Sequence, residues 1–508
     1  MKNFKLIALS MALLCLAFKS NAQVDPFAYG YYQDALRYGQ YRGLGSARLT
    51  GMAGAGSVLG ADPSAAFLNP AGLGMYNRSQ LVITPGFNFN TYSTDYLGNT
   101  VDNENSGMEF SNFAAIINFN KGDLVPGGWR GGTLAITYNR SANFKRDLQY
   151  GAQNNESSII DAMIDNAYGF FPEELGGIEQ IGYDHFLINP IPGAEDLYVS
   201  PVEGFPYQNE RHRQSGHIDE INISFGGNYN DVLYIGAGLG FVSTKYSNNR
   251  VYTESFEGTS LSTFSIDEQL TTSGSGINAN FGFIVRPIPI FRFGASITTP
   301  TWFNFNEESD AIYNSEWNNY DVANFTDEFG NRYILEDTVL TSLQSSTPIY
   351  ASNYDLRTPM KVNAGAALFL GKAGFITADI EYADYSNAHV SSIDFSTEGD
   401  NNTIDNIYQS TLNVRFGAEF RYSIFKFRAG YARIGDPYAD SYDNLDRSQE
   451  VMSGGVGLSF RKFFVDAGYS RTTYQSSYQS YSFYDGTGPQ GITDNTLNQL
   501  RLSVGLNF

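Results

Sequence analysis

From position 80 onward, apolar and polar residues alternate over stretches of about ten or more positions, the period-two signature of strands in membrane barrels. The pattern predicts strands near 80–92, 109–120, 131–145, 217–229, 232–249, 268–286, 290–306, 356–370, 373–389, 409–422, 424–435, 449–461, 463–476 and 496–508. Their number is about fourteen and even, as single-chain barrels require. The stretch 412–422 shows both faces. Leu412, Val414, Phe416, Ala418, Phe420 and Tyr422 share one side, and Asn413, Arg415, Gly417, Glu419 and Arg421 share the other. A soluble sandwich would turn the apolar side inward, whereas a membrane barrel turns it to lipid and gives Arg415, Glu419 and Arg421 to the lumen.

Periodicity does not separate these cases, but connection lengths do. The links after even-numbered strands are short: Tyr229-Asn230-Asp231, Arg286-Pro287-Ile288-Pro289, Gly371-Lys372, Ser423 and Arg461-Lys462, with 121–130 somewhat longer. Those after odd-numbered strands are long, at 93–108, 146–216, 250–267, 307–355, 390–408, 436–448 and 477–495. Short turns on one rim and long loops on the other are the mark of a barrel, and Greek-key connections have no reason to produce them. The expected fold is therefore all-β, a transmembrane antiparallel barrel spanning 80–508.

Composition agrees with that reading. The chain carries 35 Tyr, 38 Phe and 52 Gly, a mixture suited to aromatic girdles, and beyond the first residues no apolar run reaches about twenty positions. Residues 1–22 read as a secretory signal peptide, with Lys2 and Lys5, an apolar core from Leu6 to Phe18, and Ser20-Asn21-Ala22 before the cut. Cys15, the only cysteine, falls within it, which removes disulfides, thiolate metal sites and a cysteine nucleophile from the mature chain. The net charge of −21 becomes more negative on cleavage, so nucleic acid is not an expected partner. The last strand, with Leu500, Leu502, Val504, Leu506 and Phe508 on one face, resembles the closing strand that outer-membrane barrel assembly machinery recognises.

One stretch departs from the alternation. Residues 43–76, GLGSARLTGMAGAGSVLGADPSAAFLNPAGLGMY, are rich in small side chains and read as a plug. Asp62-Pro63 opens a short helix through Phe67, and Asn69-Pro70 ends it in a turn before the first strand. A nucleotide-loop reading fails, because the spacing of Gly54, Gly56 and Gly60 is wrong and neither a preceding strand nor a Lys-Ser/Thr pair is present. The string GSARLTGMAGAGSVLGADPSAAFLNPAGL, centred on Asn69-Pro70-Ala71, resembles the N-terminal hatch of the FadL/TodX family of outer-membrane transporters for long-chain fatty acids and hydrocarbons. Weaker likeness runs from Gly274-Ser275-Gly276-Ile277-Asn278 through Gly294 and Pro300, and from Thr358-Pro359 through Asp379 and Tyr382. The insertions 146–216 and 307–355 do not align.

Residues 23–79 are thus a lead-in and hatch, and the resemblance implies that the hatch lies inside a barrel of fourteen strands. Asn69, Pro70, Ala71, Gly51, Gly54, Gly56 and Phe67 would form its gating motif, and hydrophobic ligands would leave sideways through the wall into outer-membrane lipid. Gly131-Gly132 is a candidate for the strand irregularity behind such an exit, beside plain strand entry. The implied function is passive uptake of long-chain fatty acids or aromatic hydrocarbons. The alternatives are a receptor for haem or another hydrophobic cofactor, a surface adhesin or structural barrel, and a water-filled porin.

In the long loop, Ile160, Met163, Ile164 and Ala167 recur at helical spacing after Ser158, and Phe170-Phe171 follow. This short amphipathic helix either packs over the barrel mouth or makes the first contact with a ligand. His212 and His217, at the end of that loop, together with His185 and His389, lack the spacing of a metal or haem site, and no catalytic motif, cofactor or metal is expected. The acidic runs around Glu307, Glu308 and Asp310, and from Asp436 to Asp446, read as solvated loops without calcium-loop spacing. The tyrosine-rich 23–42 reads as a periplasmic lead-in to the plug.

Overall fold

The computed structural model describes residues 30–40, 45–119, 128–322, 325–326, 332–333 and 339–508. The signal-peptide reading and most of the turn 121–130 lie outside these residues. In chain order the strands are β1 (Gln80–Tyr96), β2 (Asn99–Asn118), β3 (Trp129–Asn143), β4 (Arg146–Gln153), a separate hairpin β5 (Asn189–Ile191) and β6 (Ala194–Val199), then β7 (Tyr207–Tyr229), β8 (Leu233–Ser255) and β9 (Leu261–Ile288). Next come β10 (Phe291–Thr298), β11 (Trp302–Asp321), a second small hairpin β12 (Phe325–Thr326) and β13 (Arg332–Tyr333), β14 (Val339–Ser346), β15 (Tyr350–Arg357) and β16 (Lys361–Phe369). The wall ends with β17 (Gly374–Asp384), β18 (His389–Ser391), β19 (Ser410–Tyr422), β20 (Phe425–Ile434), β21 (Gln449–Ser459), β22 (Phe463–Gln479) and β23 (Gln490–Asn507).

These strands make a closed antiparallel barrel of 14 staves. Three staves are each interrupted once, β3 with β4, β10 with β11 and β17 with β18, and one is interrupted twice, β14 with β15 and β16. The seam is β1 against β23, paired from Gln80↔Asn507 to Tyr96↔Gly491. Closure leaves no edge strand exposed to lipid, which the bilayer would not tolerate.

The two faces are inverted relative to a soluble protein. On β19, Leu412, Phe416 and Phe420 are more than half exposed, while Asn413 and Glu419 are buried inside. Arg415 pairs with Glu381, and Arg428 with both Glu419 and Asp466, all on the lumenal side. A lumenal charge is affordable only when paired, since an unpaired one would face a steep desolvation cost.

The staves run far past the membrane. On β8 the outward residues Ile235, Leu239 and Phe241 are apolar, but Ser243 and Lys245 beyond them are polar. At 28 residues, β9 exceeds the roughly nine to eleven that a crossing requires. Much of what alternation leaves as loop is therefore strand. The stretch 93–108 holds a two-residue turn, Leu97-Gly98, with both residues at positive φ, and the ladder continues on either side. Strand likewise fills parts of 146–216, 250–267, 307–355 and 477–495. Outside the bilayer both faces meet water or polar lumen, so the apolar period disappears while main-chain pairing persists.

Candidate functional site

Residues 45–76 lie within the barrel and are built from turns and single helical turns. Ser46 caps the helix Ala47–Thr50, its hydroxyl accepting from the Leu49 N–H, and the helix Ala65–Leu68 is stopped at Asn69. Pro70 then begins a 3-10 helix, Pro70–Met75, whose cap is the Asn69 side chain: its Oδ1 accepts from the Ala71 N–H at 3.2 Å. The other end of that amide points at the wall, with Nδ2 3.4 Å from the carbonyls of Phe283 and Ala295. Asn69 thus stabilises the turn and docks it with one side chain.

The wall receives this turn on glycine. Gly226, Gly236 and Gly282 are register partners on β7, β8 and β9. A Cβ on them would stand 2.4 Å from the Pro70 carbonyl oxygen, 2.3 Å from the Pro70 carbonyl carbon and 2.1 Å from Asn69 Oδ1. A second floor lies across the lumen, where a Cβ on Gly430 or Gly468 would meet the backbone of Met52 or Ala47 at 2.2 and 2.1 Å. Gly51 presses against Gly455, with its missing Cβ 3.1 Å from that Cα. Gly54 has φ +83°, and Gly56 is held through its N–H by Asp379.

Polar contacts complete the attachment. Asp379 on β17 accepts from the N–H groups of Gly56 and Ser57 at 2.7 and 2.8 Å and from the Ser57 hydroxyl at 2.7 Å. Ser224 and Asn280 donate to the Ala66 carbonyl, Ser296 to the Leu68 carbonyl, and Arg292 to the Leu59 carbonyl. Ala47 N–H donates to Ser503, and Arg48 stands 3.5 Å from Glu419. Contacts therefore come from strands around the whole circumference. Phe67 is half-buried and, with Leu49, Ala53, Gly54 and Leu68, lines a cavity of about 180 Å³ above the segment.

The helix Tyr32–Gly39 corrects one expectation. It is not a periplasmic lead-in but lies inside the lumen, with Tyr38 between Phe144, Phe303 and Phe305 and Tyr354 donating to Asp34. Arg37 pairs with Asp34 and sits 4.2 Å over the Tyr246 ring. The Tyr32 N–H donates to Asp400, which belongs to a further helix, Glu398–Ile407, in the β18–β19 connection.

The wall itself has a break. β2 pairs with β3 only from Asn112↔Asn139 to Asn118↔Thr133. Beyond that point β3 bulges between Arg140 and Ala142, and the stave is interrupted before β4. Side chains replace the ladder there: Asn103 donates through Nδ2 to the Gln149 carbonyl at 2.9 Å and accepts from its N–H at 3.1 Å, Asn99 donates to the Gly151 carbonyl, and Lys145 donates to the Ser106 carbonyl. Met108 and Phe110 are exposed on the outer face beside it, and a cavity of about 340 Å³ lies behind. Gly131, proposed from sequence, also marks an irregularity, with φ +123° and a register shift beside it, but at the turn end of β3.

At the outer mouth, the helix Ile159–Ala167 has Ser158 and Asp161 in a capping box. Its first turn is anchored by Glu254, which accepts from the Ser158 hydroxyl and the Ile159 N–H, both at 2.8 Å. Burial pushes the Glu254 carboxyl up to about 7, against hydrogen bonds from Ile159, Gln208, Tyr252 and Ser158 that favour its charged form. Ile160 and Met163 are buried with Leu187, Ile188, Phe264 and Trp317, Ile164 packs at the edge, and Phe170 and Phe171 remain exposed.

The histidines do not converge. His185 lies between the hydroxyls of Ser315 and Ser345, His212 is 3.2 Å from Glu210, and His217 is 3.3 Å from Asp219. His212 and His217 stand on β7 rather than on a solvated loop, and burial pushes the His212 imidazole down. Burial alone would raise the Glu210 carboxyl, but Arg250, His212 and Ser480 hold it at about 2. Glu307, Glu308 and Asp310 are on β11, also not a loop, and Glu307 accepts from Thr272. Among the described residues no group of three candidate ligands is placed to hold a metal.

Sequence reasoning missed the glycine floors, Asp379 and the lumenal helix. The in-strand glycines at 226, 236, 282, 430 and 468 were the available signal, since glycine inside a strand marks close backbone approach.

No family model and no curated protein matches the chain. Solved structures do. A FadL homologue of Pseudomonas aeruginosa is 14% identical with a TM-score of 0.53, over 92% of this chain and 100% of that one. The toluene transporter TodX of P. putida is 12% identical with a TM-score of 0.52, over 92% and 99%. The toluene transporter TbuX of Ralstonia pickettii is 13% identical with a TM-score of 0.50, over 92% and 99%. With its closed barrel of 14 staves and N-terminal helical turns, the chain has the fold of the FadL and TodX channels.

Proposed function

We propose that this protein is an outer-membrane channel for passive uptake of hydrophobic small molecules, released sideways into lipid after the segment 45–76 rearranges. The observation that carries this reading is the break between β2 and the β3–β4 stave, which lies between the lumenal cavity and a part of the wall flanked by the exposed Met108 and Phe110. Lateral exit suits such cargo. Each methylene entering hydrocarbon instead of water gains about 0.8 kcal/mol, so no energy source is needed. The N-terminal segment 45–76 acts as the hatch, with the Asn69-Pro70-Ala71 turn as its docked end. Phe170 and Phe171 form the first contact for the ligand, and β23, followed by Phe508, is the signal for the assembly machinery. The fold shared with proteins described as a FadL homologue and toluene transporters supports the same reading.

The test is uptake of radiolabelled oleate and toluene by cells with and without the gene, together with a variant carrying Asn103→Cys and Gln149→Cys. Cys15 is the chain's only native cysteine, so a cleavable bifunctional thiol reagent would bridge the break alone. Bridging should stop uptake, and cleavage of the bridge should restore it. Uptake that is indifferent to the bridge would overturn lateral release.

A further inference from the structure

The cavity behind the break has a lining unsuited to a purely hydrocarbon cargo. Six cationic side chains, Arg37, Arg140, Lys145, Arg146, Arg447 and Arg501, line it with a single carboxylate, Glu109. Four are answered: Arg37 by Asp34, Arg140 by Asp219, Arg447 by Asp443 and Arg501 by Glu109. The other two adjoin at the start of β4. Lys145 donates to the Ser106 carbonyl, and among the described residues no carboxylate stands within ion-pair distance of it or of Arg146. The Arg146 guanidinium lies 4.8 Å from the centre of the Tyr92 ring, and its buried Nε has no hydrogen-bond partner.

In a chain of net charge −21, two uncompensated cations at one cavity are a local inversion of sign. Arg146 is half-buried and Lys145 exposed, so water meets part of their charge, but the shielded Nε of Arg146 stays an unmet donor, and the planar guanidinium fork matches a carboxylate. The rest of the lining sets the shape of the ligand. Amides such as Asn88, Asn90 and Gln499 stand among the rings of Tyr92, Tyr438 and Tyr474, with Leu36 and Leu497 as separate apolar patches. A long alkyl chain would strip water from those amides without replacing its hydrogen bonds. A planar ring would join an aromatic and guanidinium cluster in which Arg146 stands over Tyr92 and Arg447 over Tyr438.

We propose that this cavity binds a compact aromatic carboxylate, its anion on Arg146 with Lys145 beside it and its ring against Tyr92, before exit through the break. The inference rests on the reading that the cavity lies on the transport route, and it names the class of cargo. A volume of about 340 Å³ is at the small end of ordinary ligand sites.

Equilibrium dialysis of the purified full chain in detergent, with radiolabelled 1-naphthoate and its neutral counterpart 1-naphthamide, tests it. Naphthoate should bind roughly tenfold tighter than naphthamide, and less tightly as salt is raised. Arg146→Gln should weaken naphthoate roughly tenfold and leave naphthamide unchanged, with Arg146→Lys between. Equal affinities, or equal losses for both probes in Arg146→Gln, would overturn the proposal, and oleate bound as tightly as naphthoate would overturn its limit to compact acids. Heat-modifiable migration reports whether each barrel has folded; should Arg146→Gln fail there, Lys145→Gln must weaken naphthoate selectively in its place. Naphthoate selectivity in a protein that passes no tracer across its wall would sink the channel reading and leave this site standing. Tracer passage without any preference for the anion would do the reverse.

Discussion

The backbone of Pro70 lies so close over Gly236 that a methyl group there would stand 2.3 Å from the Pro70 carbonyl carbon. Gly226 and Gly282, its neighbours across the ladder, make the same allowance. Gly236→Ala should therefore lift the Asn69-Pro70-Ala71 turn while leaving the 14-stave wall intact. The expected result is normal heat-modifiable migration with higher single-channel conductance in planar bilayers. Wild-type conductance would show that the turn tolerates the methyl group.

Asp379 accepts three hydrogen bonds from Gly56 and Ser57. Hydrogen bonds to charged groups contribute about 1.5–3 kcal/mol each, and removing their acceptor leaves main-chain donors buried. Asp379→Ala should raise amide exchange at Gly56 and Ser57 by more than tenfold, with little change in the strands. Unchanged exchange at those two amides would show that the glycine floors alone hold the segment.

The anchoring of the mouth helix by Glu254 should depend on pH. Its carboxyl titrates at about 7 when folded against 4.5 as a free group, so the folded state binds the proton more tightly. Stability from this group therefore grows as pH falls through 7 and is lost as pH rises through it. Opening of Ile159–Ala167, read by hydrogen exchange after correction for intrinsic rates, should be about tenfold rarer at pH 6 than at pH 8, or ~1.4 kcal/mol. Glu254→Gln should abolish the difference.

Packing and capture at the mouth separate by burial. Met163 is 1% exposed, so Met163→Ala should destabilise the outer region by about 2–5 kcal/mol through the cavity it leaves. Phe170 and Phe171 are 48% and 46% exposed, and changing both to Ser should leave stability near wild type. Slower uptake of a hydrophobic tracer in the double variant marks capture; unchanged uptake assigns the pair no part in it.

Much of this architecture is local and therefore readable from the chain. Alternation in 412–422 sorts its side chains into two faces, and the Asn69-Pro70 pair encodes its turn through one amide cap and one fixed φ. The ends of the strands are less legible. Past Phe241 the outward residues turn polar, and nothing in Ser243 or Lys245 distinguishes a strand in water from a loop, although the ladder to β9 runs on to Ser255↔Thr263.

By itself the sequence determined that about fourteen strands alternate, how the side chains of each divide into two faces, and the turn that closes the N-terminal segment, because alternation and turn chemistry rest on residues within about ten positions of one another. Only the tertiary structure decided that Gly226, Gly236 and Gly282 fall in one row beneath Pro70, that Tyr32–Gly39 enters the lumen, and that Lys145 and Arg146 meet a cavity without a carboxylate to answer them. Those relationships are set by the register of strands distant in sequence, and a shift of one residue in pairing would turn every such side chain to the opposite face of the wall.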